Sequence, residues 1–581
     1  MAVTETSSLV RAASLSELRG AGRLVVALGG HTICVFAEGD EVHAVDNRCP
    51  HMGFPLHRGT VADGILTCHW HHARFDLCSG GTFDQWADDL RRFPVELRGG
   101  DVYVDVTPRE DRMAHQRRRL QVALERDLPL VLAKATITLA EDDPSGVDVF
   151  RAGLDFGAQR RAGGWFRGLT TLTCLMNLAP SLDAVDVPVA LYHGLADVSD
   201  ESAGDPPRFP LEPLPAEGAG IDQLTRWFRR FVEVRDAEGA ERALVSAVRT
   251  GASQTQLADL LFAAATDHRY LDGGHTLDFA NKALEALDVA GWERAETVLA
   301  SVPAQLAAAE RMEESNAWRN PVDFVALLED AFERIAEAIE AGRADRGGWA
   351  GRSALVELVL GDDPSASTEA LLTALRDGAS EVELASAVSY AAATRIARFP
   401  TTNDFGDWDT ALHAFTFANA VEQGLRRSPS AALVRGVLDA AASVYLDRFL
   451  NVPATRLPSA RPVDDPEALL LELPALLDRQ QQVDEAGELV VSYLEGGGEP
   501  QQLVAALGAA LVRENRSFHT IQCVEAAVRQ HRLLSGGESA RPLVAAARYL
   551  AAHATTTRSQ RQTFDIARRL HRGEKLYEEA G

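Results

Sequence analysis

The sequence predicts a small all-β domain followed by a large all-α region. At 581 residues the chain is longer than one hydrophobic core normally supports. Up to about residue 106, short runs of β-branched residues alternate with glycine turns, which is typical of antiparallel strands. Beyond Thr107–Asp111, apolar residues recur at helical spacing almost to the end. We therefore predict a multidomain protein, with a β domain over residues 1–108 and a helical region over 109–581.

The composition excludes several classes of protein. A formal net charge of −26 argues against a nucleic-acid partner, because such a partner requires a stripe of basic residues. Met1–Leu18 has no apolar core of the kind that secretory signals contain. The most apolar run, Leu128–Ala140, is too short to span a bilayer and contains Lys134. The six cysteines show no disulfide-like pattern. We predict a reduced, cytoplasmic protein with no membrane and no nucleic-acid partner.

The strands of the β domain are short and separated by turn residues. Glycine-containing turns divide the first three runs, and a Gly99-Gly100-Asp101 turn closes the last hairpin. The predicted strands are Leu24–Leu28, Thr32–Phe36, Val42–Val45, Ile65–Thr67, Ala73–Leu77, Phe93–Leu97 and Val102–Val106. The fourth and fifth of these runs flank a loop, so we expect an antiparallel fold with loops presented at one end.

Two loops of this domain each carry one thiol and one imidazole. Cys49 and His51 are separated by one residue, Cys68 and His71 by two, and sixteen residues lie between the pairs. Cys₂His₂ sets often bind zinc, but zinc modules usually leave two to four residues between the first two ligands. A Cys-x-His pair beside a loop with Gly and Pro fits a 2Fe–2S centre better, with two Cys on one iron and two His on the other.

Cys49-Pro-His-Met-Gly-Phe-Pro-Leu56 and Cys68-His-Trp-His-His-Ala-Arg-Phe-Asp76 resemble the ligand loops of the Rieske family. The resemblance runs from Leu24 to Val106 and is greatest to soluble Rieske ferredoxins and the small-subunit type of nitrite reductase. It implies a 2Fe–2S cluster, with Cys49 and Cys68 on the buried iron and His51 and His71 on the outer one. It also implies one-electron transfer and an electron donor such as a reductase.

The sequence departs from the family pattern around the ligands. Phe54 and Trp70 stand where high-potential members have two further cysteines that form a disulfide, and His69 and His72 replace the usual Pro and Gly. Reduction potential depends on hydrogen bonds to sulfur and on solvent exposure. We therefore expect a low to middling potential, with His69 and His72 as exposed loop residues that tune the cluster or relay protons.

The helical region contains a degenerate internal repeat. His275-Thr-Leu-Asp-Phe-Ala-Asn281 recurs as His413-Ala-Phe-Thr-Phe-Ala-Asn419, with weaker copies at 519–525 and 171–177. A Gly-Ala-Ser turn also recurs, with Ser253 and Ser380 expected to cap the helices that follow. Four units of several helices each predict a solenoid or a closed array. The predicted unit bounds are roughly 113–215, 216–345, 346–465 and 466–581.

Repetition places several histidines at equivalent points. His275, His413 and His519 share one repeat position, and Thr171 takes it in the first copy. In a closed array such residues converge, which would give a second metal site, with His268 a further candidate ligand close in sequence. The competing interpretation is that these histidines bond neighbouring turns, since imidazoles commonly satisfy buried polar groups. Asn177, Asn281 and Asn419 are expected to bond across repeats.

Two hypotheses for function follow. In the first, the protein is an oxidoreductase, oxygenase-like in class, in which the cluster supplies electrons to a small-molecule substrate or active site in the helical region. In the second, it is a non-enzymatic carrier or redox sensor and the helical array is a docking scaffold. The iron site of Rieske oxygenases belongs to a mixed α/β domain, so its residues are not transferred to this all-α region. Glycine pairs outside a strand–loop–helix context give no support for nucleotide cofactors.

Overall fold

The computed structural model describes residues 9–107, 112–215 and 218–576. The described residues fall into two compact units, the first within Met1–Ala123, Leu128–Asp142 and Gln562–Gly581 and the second within Leu124–Asp127 and Asp143–Arg561. Three predicted features border or fall outside the described residues: the domain boundary at residue 108, most of the turn at 107–111 and the repeat boundary at 215/216. The start of the N-terminal stretch Met1–Leu18 also lies outside them.

The first unit contains three antiparallel sheets. Their strand orders are β1-β10-β9, β2-β3-β4-β8 and β5-β6-β7. The strands are β1 Leu9–Ser14, β2 Arg23–Leu28, β3 His31–Glu38, β4 Glu41–Asp46, β5 Thr60–Ala62, β6 Ile65–Thr67, β7 Arg74–Asp76, β8 Arg92–Phe93, β9 Val95–Arg98 and β10 Asp101–Asp105. This confirms the predicted all-β class of the N-terminal part.

The strands agree with the predicted runs with two exceptions. The predicted strand Phe93–Leu97 is divided into β8 and β9 at Pro94, which has no backbone N–H for a ladder. Strands β1 and β5 and the short helix α1 (Leu15–Ala21) were not predicted. β1 pairs with β10, a partner about ninety residues away that local patterning does not reveal. Two apolar clusters form the core, one of them around the ligand loops and including Leu56, Leu66 and Phe75.

Beyond β10 the described residues form helices and the loops between them, with no strand, which confirms the all-α region. The helices are α2 Arg112–Arg126, α3 Pro129–Asp142, α4 Val147–Arg160, α5 Arg167–Leu178, α6 Val187–Ser202, α7 Ile221–Glu233, α8 Ala237–Arg249, α9 Gln254–Ala265, α10 His275–Ala290, α11 Ala295–Leu299, α12 Pro303–Ala308, α13 Phe324–Ala341, α14 Arg352–Val359, α15 Pro364–Arg376, α16 Glu381–Ala397, α17 Phe405–Arg427, α18 Ala431–Leu446, α19 Pro466–Leu477, α20 Val483–Glu495, α21 Pro500–Val512, α22 Phe518–Leu533, α23 Ala540–Ala552 and α24 Ser559–His571. Of the helices so described, none is both long and apolar enough to cross a membrane.

Helix α3 and most of α2 and α24 belong to the first unit with the β sheets. Arg119 of α2 forms an ion pair with Asp88, and both side chains are largely buried. His571 near the end of α24 lies 2.7 Å from a carboxylate oxygen of Glu141 in α3. The β domain is therefore packed against helices that lie outside the family-like stretch of sequence.

Helix starts in the second unit follow the predicted capping chemistry. Ser253 and Ser380 are the N-caps of α9 and α16, and each forms a complete capping box with Gln256 or Glu383. Each serine accepts a backbone N–H of the first turn while the Gln or Glu side chain accepts the N–H of the cap. The predicted N-cap role of both serines is confirmed.

The four copies of the repeated motif lie on α5, α10, α17 and α22. α5 and α17 each pack against both α10 and α22, so the four helices close into a ring. Asn177 donates to Glu285 and Glu525 on two other helices of the ring, and Asn419 accepts a bond from Gln530 of α22. The predicted bonding across repeats is confirmed for these two asparagines. Asn281 instead bonds within its own helix, to Glu285. The bounds of the four repeat units stay a prediction.

Candidate metal centres

The first ligand loop is a tight turn held by backbone bonds. The N–H of Cys49 donates to the carbonyl of Phe54, and the N–H of Gly53 donates back to the carbonyl of Cys49, both at 2.8 Å. Gly53 has φ of +80°, a left-handed conformation that favours glycine. This turn directs Cys49 and His51 to the same side of the loop.

The second ligand loop lies between β6 and β7. The N–H of Cys68 donates to the carbonyl of Ala73 at 2.8 Å, and His72 takes a left-handed φ of +62° to close the loop. The sharp turn leaves Cys68 buried and His71 exposed. The predicted exposure of His69 and His72 is what the structure shows.

The four predicted ligands form two adjacent pairs. Cys49 and Cys68 are 3% and 1% exposed and lie side by side, and the ring centroids of His51 and His71 are 4.9 Å apart. The contact with Cys68 and burial raise the pKa of the Cys49 thiol, because two thiolates repel unless a cation lies between them. Burial lowers the pKa of His51 to about 4, so its imidazole is neutral. Two sulfurs inside and two neutral imidazoles outside match the donor set of a Rieske cluster.

One buried nitrogen of this site is unsatisfied among the described residues. Nδ1 of His51 is buried and has no hydrogen-bond partner among the residues that the structure describes. A buried imidazole nitrogen without a partner costs free energy, which a bound metal would remove. The residues therefore fit a 2Fe–2S cluster in both chemistry and arrangement.

Aromatic rings take the place of a disulfide between the loops. Phe54 and Trp70, at the positions that the family resemblance assigns to two cysteines, have ring centroids 6.0 Å apart. Trp70 also lies against His71 at 4.4 Å, and Trp86 packs edge-on against His51 at 4.7 Å. All six cysteines of the chain are free thiols. Ring packing thus joins the two loops in this protein.

A half-buried lysine bonds the backbone of the first ligand loop. Nζ of Lys134, on α3, donates to the carbonyl oxygen of Pro50 at 2.8 Å and to that of His51. Burial lowers the pKa of Lys134 to about 8. Sequence analysis noted Lys134 only as a charge that interrupts an apolar run, and that interruption was the one available signal of its role.

Comparison with known proteins agrees with this geometry. The Rieske [2Fe-2S] domain matches residues 8–94, and the match does not extend to the helical region. Ferredoxin CarAc of Metapseudomonas resinovorans is 30% identical over 86 residues, which are 15% of this chain and 80% of that protein. The chain belongs to the Rieske family. The 2Fe–2S domain and its likeness to ferredoxins of dioxygenase systems imply electron transfer.

Other relatives match over the same domain. The ferredoxin component of the p-cumate 2,3-dioxygenase system of Pseudomonas putida is 33% identical to this chain. The match covers 67% of that protein and 13% of this chain. Apoptosis-inducing factor 3 of Homo sapiens is 35% identical, but this chain spans only 13% of its length and the match uses 14% of this chain. The ferredoxin of carbazole 1,9a-dioxygenase from Nocardioides aromaticivorans IC177 is 26% identical over 17% of this chain and 100% of that one, with a TM-score of 0.17.

The second unit brings three predicted histidines together. Nε2 of His413 is 3.1 Å from Nε2 of His519, which is 3.5 Å from Nε2 of His275. The three side chains are half-buried, and their ligand atoms all lie within 4.8 Å of one another. Three imidazoles converging on one point form a set that could hold a metal ion. Phe279 and Phe518 pack against the His275 ring at 5.5 and 5.3 Å.

Two of these imidazoles, those of His275 and His413, are held neutral. Burial, followed by the neighbouring histidines, lowers the pKa of His275 to about 2 and that of His413 to about 4. Outside the group, Asp409 of α17 lies 3.5 Å from Nδ1 of His519. Asp409 also accepts a bond from the Tyr549 hydroxyl, and its pKa is well below the ordinary range because of these donors, against the effect of burial. Sequence analysis missed Asp409, which lies four residues before His413, one helical turn away.

The structure places His268 away from this group. Its two ring nitrogens lie 2.7 and 2.8 Å from carboxylate oxygens of Glu313 and Glu233. The reason is local: His268 follows the end of α9, where it faces a carboxylate pair, whereas His275 is the first residue of α10. Asp278 also stays outside the group and accepts a bond from Gln522 one turn below.

Proposed function

We propose that this protein is a Rieske oxidoreductase that passes single electrons to a substrate or active site in its helical region. The observation that supports this is the pairing of buried Cys49 and Cys68 with neutral His51 and His71, which suits a cluster bound by all four residues. The cluster, when bound, supplies reversible one-electron transfer. A reductase is the proposed electron donor, a small molecule the proposed substrate, and the cytoplasm the proposed compartment.

The chain's own residues divide the work around such a cluster. Cys49 and Cys68 provide negative charge in the interior, and Lys134 holds the carbonyl groups of the first loop. Exposed His71 offers a contact for a redox partner, while half-buried His51 is covered by Trp86. Neutral imidazoles bring less negative charge than thiolates, which raises the potential of the iron they bind.

The acceptor site that we propose in the helical region is the group of His275, His413 and His519, with a second metal. Support for it is the convergence of three half-buried imidazoles from three helices. His268, which the sequence also suggested, contacts two glutamates instead. The alternative function is an electron carrier or redox sensor, which the exposure of His71 to external partners favours.

Iron and acid-labile sulfide, counted per purified full-length chain, test the cluster directly. We expect two sulfides and at least two irons, with a Rieske-type paramagnetic signal on reduction. A colourless protein with zinc and no sulfide would overturn the proposal.

Reoxidation of the reduced protein separates the oxidoreductase from the carrier. If the helical site accepts electrons, the double change His275→Ala with His413→Ala slows reoxidation by oxygen and leaves the paramagnetic signal intact. Equal rates in wild type and variant would favour the carrier or sensor. His268→Ala is the matched control, since it removes a buried imidazole of the same unit outside the three-histidine group.

A further inference from the structure

We infer that His275, His413 and His519 bind one divalent first-row transition ion together with a small anionic oxygen or nitrogen ligand from solution. This deepens the proposed function, on which it rests for the role of the site, by naming its metal class and its ligand class. Three features of the site support it: the spacing of the nitrogens, the direction of the ring helices and the balance of charge.

Two of the three nitrogen spacings are close to those of ligands on a single ion. Imidazole nitrogens about 2.0–2.1 Å from one ion, at angles between square and tetrahedral, lie roughly 3.0–3.4 Å apart. The Nε2 atom of His519 is 3.1 Å from that of His413 and 3.5 Å from that of His275. Neutral imidazole suits zinc, iron, copper and nickel, whereas magnesium and calcium prefer oxygen. Three protein ligands leave at least one position open, and the fourth repeat position, in α5, carries Thr171 instead of a histidine.

The four helices of the ring run parallel and in register. Several contacts between the helices join residues at equal distances from the histidine position, which counts as zero, and others join residues a few positions apart. At offset zero His519 meets His275 and His413, at offset three Gln522 meets Asp278, at offset six Asn177 meets Glu525, and at offset ten Arg529 meets Glu285 and Gln423. Equal offsets over three turns require parallel axes, because antiparallel helices would pair increasing with decreasing offsets.

Parallel alignment gathers positive helix ends at the histidine layer. Helix α10 begins at His275, α22 begins one residue before His519, and α5 begins four residues before Thr171. Each N-terminus carries a partial positive charge. The N-cap of α10 is Gly274, which has no side chain to bond the first turn. A divalent ion on three neutral imidazoles would therefore lie where the helices already disfavour a cation.

The nearby acids compensate only part of that charge. Asp409 lies on the outer nitrogen of His519 and is shared with Tyr549 and His553. Asp278 is fully buried one turn below, and burial raises its pKa to about 7. Asp272 accepts bonds from Thr276 and from the backbone of Glu310. A half-buried divalent ion with this little negative charge around it is stabilised by an anion in its open position.

Cobalt binding by the full-length protein tests both parts of the inference. The oxidised cluster has no net spin, so high-spin Co²⁺ added to oxidised protein can be followed by paramagnetic resonance. We expect one Co²⁺ per chain beyond the cluster iron, and at least a tenfold weaker affinity in His413→Ala. Azide is expected to change the cobalt signal at millimolar concentration, and neutral imidazole at the same concentration is expected to leave it unchanged.

Each outcome of the cobalt titration supports or refutes one part of the inference. No saturable cobalt site in wild-type protein, or equal affinity in His413→Ala, overturns the metal site, while the sulfide count and reduced-state signal still report separately on the cluster. A cobalt site that responds to imidazole and not to azide keeps the metal and overturns the anionic ligand. His268→Ala controls for the loss of an imidazole elsewhere in the unit, and circular dichroism confirms that each variant is folded. Because wild-type titration alone can refute the site, an unfolded variant does not weaken the test.

Discussion

The two groups of histidines in this protein differ in how they are built and in the charge they carry. His51 and His71 come from two loops of one small sheet domain and share their site with two cysteines. His275, His413 and His519 come from three helices more than a hundred residues apart and have no thiol among them. The loop group supplies negative charge to any metal it binds, whereas the helix group consists of neutral ligands alone.

Backbone geometry explains the difference in spacing. Left-handed residues such as Gly53 and His72 turn the chain sharply enough for ligands one or two residues apart to face one point. In the ring, each of three helices contributes one imidazole, and helix packing completes the set. Loss of one ligand should therefore empty the loop site locally, while disruption of the ring should affect the whole second unit.

The largest effect should come from His71→Ala. This change removes one of the two imidazoles proposed to hold the outer iron, and we expect loss of the reduced-state paramagnetic signal and of most acid-labile sulfide. His72→Ala is the matched control, because it removes an exposed imidazole one residue along the same loop. Retention of the signal in His71→Ala, or its loss in both variants, would contradict the assigned ligand set.

Next in size is Lys282→Met, which tests the interior of the ring. Nζ of Lys282 donates to Glu285 at 2.9 Å and to Glu525 at 2.7 Å, and all three side chains are buried. The substitution removes this cation from the buried carboxylates of Glu285 and Glu525. We expect the free energy of unfolding to fall by about 3–5 kcal/mol. Urea unfolding measures the loss. Arg376→Gln, which breaks an exposed pair with Glu369, should cost at most about 1 kcal/mol. Similar losses in both variants would argue against a buried ionic core.

Asp278→Asn should change how stability depends on pH. Burial raises the pKa of Asp278 from 3.8 to about 7, so between these values the folded protein holds a proton that the unfolded chain releases. Raising the pH through this window should therefore destabilise the wild-type protein by up to about 1.4 kcal/mol per pH unit, and the asparagine variant should lack this slope. Thermal unfolding from pH 4 to 7 measures it.

Asp409→Asn gives the opposite sign and serves as the control. The pKa of Asp409 is depressed, so its contribution is present above the ordinary carboxyl pKa and is lost as the pH falls into the acid range. The variant should lose stability at neutral pH and little at low pH. If the stability of the two variants depended on pH in the same way, the opposite pKa shifts of Asp278 and Asp409 would be absent.

The smallest effect should be that of Lys134→Met on the reduction potential. Lys134 places a half-buried ammonium against the first ligand loop, and positive charge favours the reduced cluster. A charge interaction of about 1 kcal/mol corresponds to a decrease of roughly 40 mV for one electron. Spectroscopic redox titration measures the shift. Arg98→Gln, which removes an exposed charge from β9 of the same unit, should leave the potential unchanged. An unchanged or higher potential in Lys134→Met would show that Lys134 only positions the loop.

The sequence by itself determined the features that depend on near neighbours. One and two residues between Cys and His, with sixteen between the pairs, were enough to predict the loop site, because both loops belong to one small sheet. Gly-Ala-Ser turns predicted the caps Ser253 and Ser380 for the same reason: a cap bonds to residues three positions away. Strand β1 was missed because its pairing with β10 is set about ninety residues later.

Only the tertiary structure decided which distant groups meet. Repetition indicated His275, His413 and His519, but the same reasoning admitted His268, which differs from them by facing Glu233 and Glu313. Lys134 and Asp409 gave almost no signal in the sequence, since a buried charge is explained only by the partner it reaches. Side-chain periodicity shows which face of a helix is buried, whereas the identity of the opposing residue depends on how whole helices pack, and that is a property of the folded chain.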